Sequence, residues 1–387
     1  MRINAFKTFR LLAAALLAVA GATGCVKFSS PAGNGVQDST LVRISFPTPI
    51  VSPVTKADAS SSEPTYPEDE SFGIYGLWYP NESNFAGWES TTGAAMHIDG
   101  DEFFYDGGIG DPDKGGAWIS DPVHYWLPLG RMAFAAWSPY SIKESTNEKL
   151  SYGAAGLAVK DFDSGNGGRR DLMYSERVYD RTSSRGSNPT YSGIDLVFHH
   201  ALAALKFTTD AAVDGSRNWG RGDGNTGSQD VVTVVTLTRI ELWGFDRKGS
   251  FSENVDETAP LTYSSAPQWS DVGTRYTENA PLSIVLDDDM TAYIIPQQIP
   301  PEAKIRIYYT VKIGNNPELP AVSEALSLSG KKISGTEDVL ASWDMAKRYV
   351  YKISITSAIM IRFSVDVTPW HDSNDTGNGG GNTDIID

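Results

Sequence analysis

From Leu41 the chain alternates. Val42, Ile44 and Phe46 fall on one side of an extended segment and Leu41, Arg43 and Ser45 on the other, the period-2 pattern of a half-buried β-strand. Short apolar runs then recur at Phe72–Tyr79, Arg131–Trp137, Ile194–Thr209, Val231–Phe245, Leu282–Leu286, Ala292–Ile295, Lys304–Ile313, Tyr349–Ile355 and Ile359–Val367. Turn-rich segments such as Asp106–Asp113 and Ser164–Gly168 separate them. No long stretch places apolar residues at helical spacing. Many short strands with Gly and Pro between them predict an all-β fold built of β-sandwiches. The run Ile194–Thr209 reads as the opening strand of a second sheet set. That divides the chain into an N-terminal sandwich, residues 41–192, and a C-terminal one, residues 193–370, with the boundary near Ser192. Residues 25–40 are too poor in apolar side chains to fold alone and read as a flexible tether. Residues 371–387, rich in Gly, Asn and Asp, read as a flexible tail.

The first 24 residues have a different texture. Arg2, Lys7 and Arg10 precede the apolar run Leu11–Ala20, which is shorter than the ~20 residues a spanning helix needs. Residues 1–24 therefore read as an export signal. The sequence Ala22-Thr23-Gly24-Cys25 resembles a bacterial lipobox, which implies that the Cys25 thiol receives a diacylglyceryl group and becomes the mature N-terminus. Acyl chains contribute about 0.8 kcal/mol per buried CH₂, and two or more hold a protein firmly to a bilayer.

Composition narrows the functional classes. The chain has 387 residues, 40% hydrophobic and 21% charged, with 37 Gly, 21 Pro, a single Cys and a formal charge of −16. So acidic a protein lacks the excess of Lys and Arg that a nucleic-acid partner demands. One cysteine excludes a disulfide framework, a cysteine-rich zinc site and an iron–sulfur cluster.

Candidate chemistry is sparse. His97, His124, His199, His200 and His371 would have to carry any imidazole mechanism. His199 and His200, adjacent on a predicted strand, point to opposite faces. H-E-x-x-H, G-x-S-x-G and Walker-type sequences are absent. Asp161-x-Asp163-x-Gly165-Asn166 and Asp111-x-Asp113 begin like calcium loops, but Leu172 stands where an EF-hand needs a bidentate Glu, so they read as solvated turns. Asp287-Asp288-Asp289 reads as a hairpin turn, and Arg221-Gly222-Asp223 as a chance tripeptide. No catalytic residue, metal site or cofactor is expected, and the chain reads as a non-enzyme. Trp78, Trp88, Trp118, Trp126 and Trp137 crowd the first half. They read as sandwich core, or else as a platform on which sugar rings stack.

Several segments together resemble the fimbrillin-like family of Bacteroidales type V pilins. These are the lipobox, an early strand followed by Thr55-Lys56-Ala57, Asp171-Leu172-Met173-Tyr174, and the run Leu196 to Phe207 with its His199-His200 pair. Ile294-Ile295-Pro296-Gln297, Trp343 shortly before Tyr349-x-Tyr351, and a last strand closing on Pro369-Trp370 complete the set. The resemblance implies two tandem transthyretin-like sandwiches, export as a lipoprotein to the outer-membrane surface, and assembly into adhesive fimbriae. It further implies proteolysis after a basic residue, for which Lys56 occupies the matching position. Release of the strand carrying Val42, Ile44 and Phe46 would open a groove that a neighbour's strand fills. Expected partners are other fimbrial subunits, the outer membrane through the lipid on Cys25, and a host or bacterial surface ligand. Ile359–Val367 and the tail ending Ile385-Ile386 are the candidate donor strands, and the stalk, tip and anchor roles stay open. A non-polymerising, glycan-binding surface lipoprotein is the alternative.

Overall fold

The computed structural model describes residues 44–46, 49–51, 65–80, 95–107, 116–127, 130–153, 155–165, 169–181, 194–209, 217–219, 231–254, 266–284, 286, 290–355 and 361–369. Among them the structure is nearly all β, with one short helix, Ser141–Glu144. No helix among the described residues is long and apolar enough to cross a membrane.

An 8-stranded sheet orders Ile50–Val51, Val197–His200, Met173–Ser175, Arg131–Ser138, Ser71–Tyr79, Ala95–Asp106 and Ala117–Ser120, with Val178–Arg181 also on Arg131–Ser138. Its central strands are SFGIYGLWY and RMAFAAWS, apolar almost throughout, because both faces are covered. Phe72, Ile74, Phe134 and Ala136 face one core cluster. Tyr75, Leu77, Ala135 and Trp137 face another. Ala95–Asp106 lies outside the predicted set. Only a few of its residues, Ile98 and Phe103 among them, are buried, so the strand carries too little apolar signal to be read from sequence.

The C-terminal residues make a sandwich. A 4-stranded sheet orders Thr291–Ile294, Ala203–Thr209, Lys347–Ile355 and Ile361–Pro369. It packs on a 6-stranded sheet that includes Val231–Trp243, Lys304–Ile313 and Leu319–Val322. Leu205, Phe207, Tyr349, Tyr351 and Ile353 from the first meet Ile240, Leu242, Ile305 and Ile307 from the second.

The stretch predicted as one strand, Ile194–Thr209, is two. Val197–His200 pairs with Met173–Ser175 in the large sheet, and Ala203–Thr209 pairs with Lys347–Ile355 in the sandwich. The chain passes between sheets at Ala201-Leu202, both fully buried, so the apolar run continues unbroken through the crossing. Ala201 N–H donates to Leu172 O (2.8 Å), Ala346 N–H to Leu202 O (2.8 Å), and the Trp269 indole to Ala201 O (2.6 Å). A further sheet draws on both sides of the predicted boundary near Ser192: Lys149–Gly153 and Gly156–Asp163 pair on with Asp246–Ser252 and Gln268–Arg275. The described residues fall within one compact unit, Leu41–Asp387.

An ion pair ties this shared sheet together. Arg247 binds Asp163 through Nε and a terminal nitrogen (3.0 and 2.8 Å), the Gly165 N–H adds 2.8 Å, and Lys248 lies 3.4 Å away. Burial pushes the Asp163 carboxyl up, but Arg247, the Gly165 N–H and Lys248 more than offset this and hold it below its ordinary value. With the folded value depressed, the group contributes stability above an unfolded pKa of 3.8, lost as pH falls through the folded value. Asp163→Asn is therefore expected to cost about 1 kcal/mol at pH 7, a figure discounted for partial exposure. It should also flatten the decline between pH 5 and pH 3. Urea titrations at several pH values check this, and an unchanged acid limb refutes it.

Candidate functional site

Apart from Ile50–Val51, the large sheet ends on Val197–His200 at one side and on Ala117–Ser120 at the other, and one segment reaches both. Residues 44–46 and 49–51 form a strap. At its start Ile44 N–H donates to His124 O (2.9 Å). Phe46 and Trp118 exchange hydrogen bonds of 3.2 and 3.0 Å in an antiparallel bridge. On the other flank the Ser45 carbonyl accepts from Ile194 N–H (3.2 Å), and Ile50 N–H donates to Leu196 O (3.0 Å). Ile50–Val51 then runs parallel to Val197-Phe198. The strap thus joins one edge to the other.

Its apolar side chains fill the core behind it. Ile44 and Phe46 are 0% exposed and Val51 1%, each burial contributing about 1.5–3 kcal/mol. The period-2 alternation of Ile44, Ser45 and Phe46 produces this, with Ser45 half-buried between two buried neighbours. The Phe46 ring lies edge-on to Phe103 (5.1 Å), Phe72 (6.0 Å) and Phe134 (6.0 Å).

Tyr66 is a site residue that sequence reasoning passes over. Its N–H donates to Pro49 O (2.9 Å), so it sits against the strap, and its side chain is fully buried beside Phe72, Phe198 and Trp118. The hydroxyl lies 2.8 Å from Ser138 Oγ and 3.1 Å from Ser71 O. Burial pushes the phenol well up despite the Ser138 hydrogen bond, so it stays protonated. The signal was its being the one aromatic in the polar stretch 52–70.

Of the predicted site residues, Ile44 and Phe46 come together here. Val42, Lys56 and Cys25 lie outside the described residues, as do the export signal, the tether and the tail. Of the candidate donor Ile359–Val367, residues 361–367 lie in the strand Ile361–Pro369, which is paired in register with Lys347–Ile355, and residues 359–360 lie outside the described residues.

The remaining candidates have structural partners. His97 Nε2 lies 2.9 Å from Tyr125 O, His124 binds Asp101 (2.7 Å), His199 binds Glu176 (3.1 Å) and His200 binds Asp171 (2.6 Å). His199 and His200 do lie on opposite faces, one partly exposed and the other buried. The Asp163 carboxylate is taken up by Arg247 and Lys248, and no group of three potential ligands that could hold a metal occurs among the described residues. Asp111, Asp113, Arg221 to Asp223 and Asp287 to Asp289 lie outside them. Trp118, Trp126 and Trp137 are core residues, 3%, 3% and 0% exposed, and Trp78 packs against the same core. The three buried rings are not available as a sugar platform, and Trp78 is half-buried. Trp88 lies outside the described residues.

Residues 68–370 match the fimbrillin-like family, and the chain belongs to that family. Among solved structures, it is similar to a fimbrial protein from Bacteroides vulgatus, at 14% identity and a TM-score of 0.45, covering 84% of this chain and 99% of that one. A candidate cell adhesion protein from Bacteroides uniformis gives 13% identity and a TM-score of 0.43, covering 85% and 99%. The tip fimbrial protein Mfa3 from Porphyromonas gingivalis, truncated at its C-terminus, gives 12% identity and a TM-score of 0.33, covering 78% and 95%. No match was found among curated proteins. The strap precedes the matched range.

Proposed function

We propose that this chain is a non-enzymatic structural subunit of surface fimbriae, made as a lipoprotein and assembled by strand exchange. Residues 1–24 direct export, the lipid on Cys25 holds the precursor at the outer membrane, and residues 25–40 tether the folded body. Its two sandwich domains are assigned to residues 41–192 and 193–370, with Val197–His200 reaching back into the first and the shared sheet joining them. Cleavage after Lys56, which lies on the chain between Val51 and Tyr66, separates the strap from the body. A neighbouring subunit's strand then takes its place, hydrogen-bonding to the same backbone groups and presenting apolar side chains to the same core. Family membership supports the fimbrial reading. The observation that carries the mechanism is the seating of Ile44, Phe46 and Val51 in the core, on a segment bonded to both sheet edges.

N-terminal sequencing of the protein in fibres sheared from intact cells tests this. The expected terminus is Ala57. A lipid-blocked Cys25 on the polymerised subunit would refute maturation at Lys56. In vitro, cutting the purified chain at Lys56 should convert monomers into multimers over hours, and persistent monomers would argue against strand exchange.

A further inference from the structure

We infer that the strap's seat selects for an aromatic ring: the segment that replaces residues 44–51 must carry a Phe-like side chain where Phe46 now stands. This rests on the strand-exchange reading above and names the chemistry of the partner that reading requires. The occupant is an extended segment of another fimbrial subunit, patterned aliphatic–x–aromatic, with a further apolar position five residues beyond the ring, where Val51 is buried.

The geometry of the Phe46 pocket is specific. Phe72 and Phe103 stack almost parallel, at 6° and 6.2 Å between centroids. Phe46 stands perpendicular to both, at 78° and 80°, and at 85° to Phe134. Edge-to-face contacts of this kind add about 0.5–1.5 kcal/mol each beyond the area they bury. An aliphatic side chain could fill much of the volume, but it would leave three aromatic rings without their edge contact. Ile44, fully buried two residues earlier, fixes the facing of the strand, since a slip of one residue would turn the ring out of the core.

Backbone demands set direction and register. The strap supplies N–H groups at 44, 46 and 50 and carbonyls at 45, 46 and 49, antiparallel to Trp118 and parallel to Val197-Phe198. A replacement must do the same. By sequence, Ile361 and Phe363 repeat the aliphatic–x–aromatic spacing of Ile44 and Phe46, on a strand that in this chain is paired with Lys347–Ile355, whereas residues 371–387 contain no Phe, Tyr or Trp. The seat therefore discriminates between the two candidate donor sequences, and the tail is the wrong chemistry for it.

The test uses the full chain, cut at Lys56, and a fluorescent peptide of residues 41–52. Unlabelled peptides compete for the seat. The wild-type peptide and a Ser45→Ala peptide should compete within about threefold of one another, because among the described residues Ser45 bonds through its carbonyl, which alanine keeps. Phe46→Leu should compete about 10-fold more weakly, and Phe46→Ala at least about 100-fold more weakly. A peptide of residues 371–387 should not compete. A Phe46→Leu peptide equal to wild type, or effective competition by the tail, overturns the aromatic requirement while leaving strand exchange intact. Failure of the labelled wild-type peptide to enter the cut protein overturns the strand-exchange reading itself.

Discussion

Gly73→Ala is expected to destabilise the protein by about 3 kcal/mol or more, the scale of losing the packing of a large buried aromatic. Gly73 lies opposite Trp137 on the neighbouring strand, and the indole lies over the glycine. A Cβ at residue 73 would sit 2.0 Å from Trp137 Cζ2 and 2.3 Å from Cη2, far inside any real contact. The ring has no room to yield. It is 0% exposed, tilted on Tyr75 at 4.9 Å, and so close to Gly100 that a Cβ placed there would meet the same Cη2 at 3.0 Å. Either the indole leaves its rotamer or two central strands separate. Gly273→Ala serves as the control, because nothing lies within 4 Å of a Cβ there. It should change stability by less than about 0.5 kcal/mol. Urea denaturation followed by tryptophan fluorescence reads both, and a Gly73→Ala protein within 1 kcal/mol of wild type, by the overpacking scale, would disprove the argument.

A second large effect belongs to Glu253 and Arg177. Arg177 follows the large sheet's Met173–Ser175, and Glu253 directly follows the shared sheet's Asp246–Ser252, so their pairing joins two sheets. Their side chains are 3% and 2% exposed and 3.9 Å apart. The carboxylate also accepts the Leu157 N–H at 2.8 Å, and Gly156, at φ +97°, leaves room for it where a Cβ would lie 2.4 Å from Oε2. Glu253→Leu should cost about 3–5 kcal/mol, because a buried guanidinium loses its counter-charge. Arg177→Leu/Glu253→Leu should recover more than half of that, and a double-mutant cycle by chemical denaturation gives the coupling. Additive losses would mean the two groups act independently. The pH dependence is opposite in sign to that of Asp163. Burial pushes the Glu253 carboxyl up, with Arg177 and the Leu157 N–H only partly pulling it back. Its linked contribution is full below the unfolded value of 4.5 and declines as pH rises through the folded one.

Legibility in the sequence followed burial. Phe72–Tyr79 and Arg131–Trp137 announce themselves because both faces are covered, and continuous apolar runs result. Ala95–Asp106 does not, because most of its side chains meet solvent or polar partners. The crossing at Ala201-Leu202 is invisible for the opposite reason: an apolar run carries no mark where it passes from one core to the next. The strap was readable in its own alternation of Ile44, Ser45 and Phe46. Its seat was not, since Trp118, His124, Ile194 and Leu196 are brought to it from distant parts of the chain. Tyr66 was hidden by its polar surroundings, where a single ring gives no period.

The strap's placement also fixes how the molecule would answer tension. Where residues 44–46 run antiparallel to Trp118, the hydrogen bonds lie across the strand. A pull along the strand axis shears them, and the bonds to Ile194 and Leu196 on the other flank are loaded in the same stroke. A pull at right angles would instead peel the strand away one bond at a time. The same short segment is thus strong lengthwise and weak sideways.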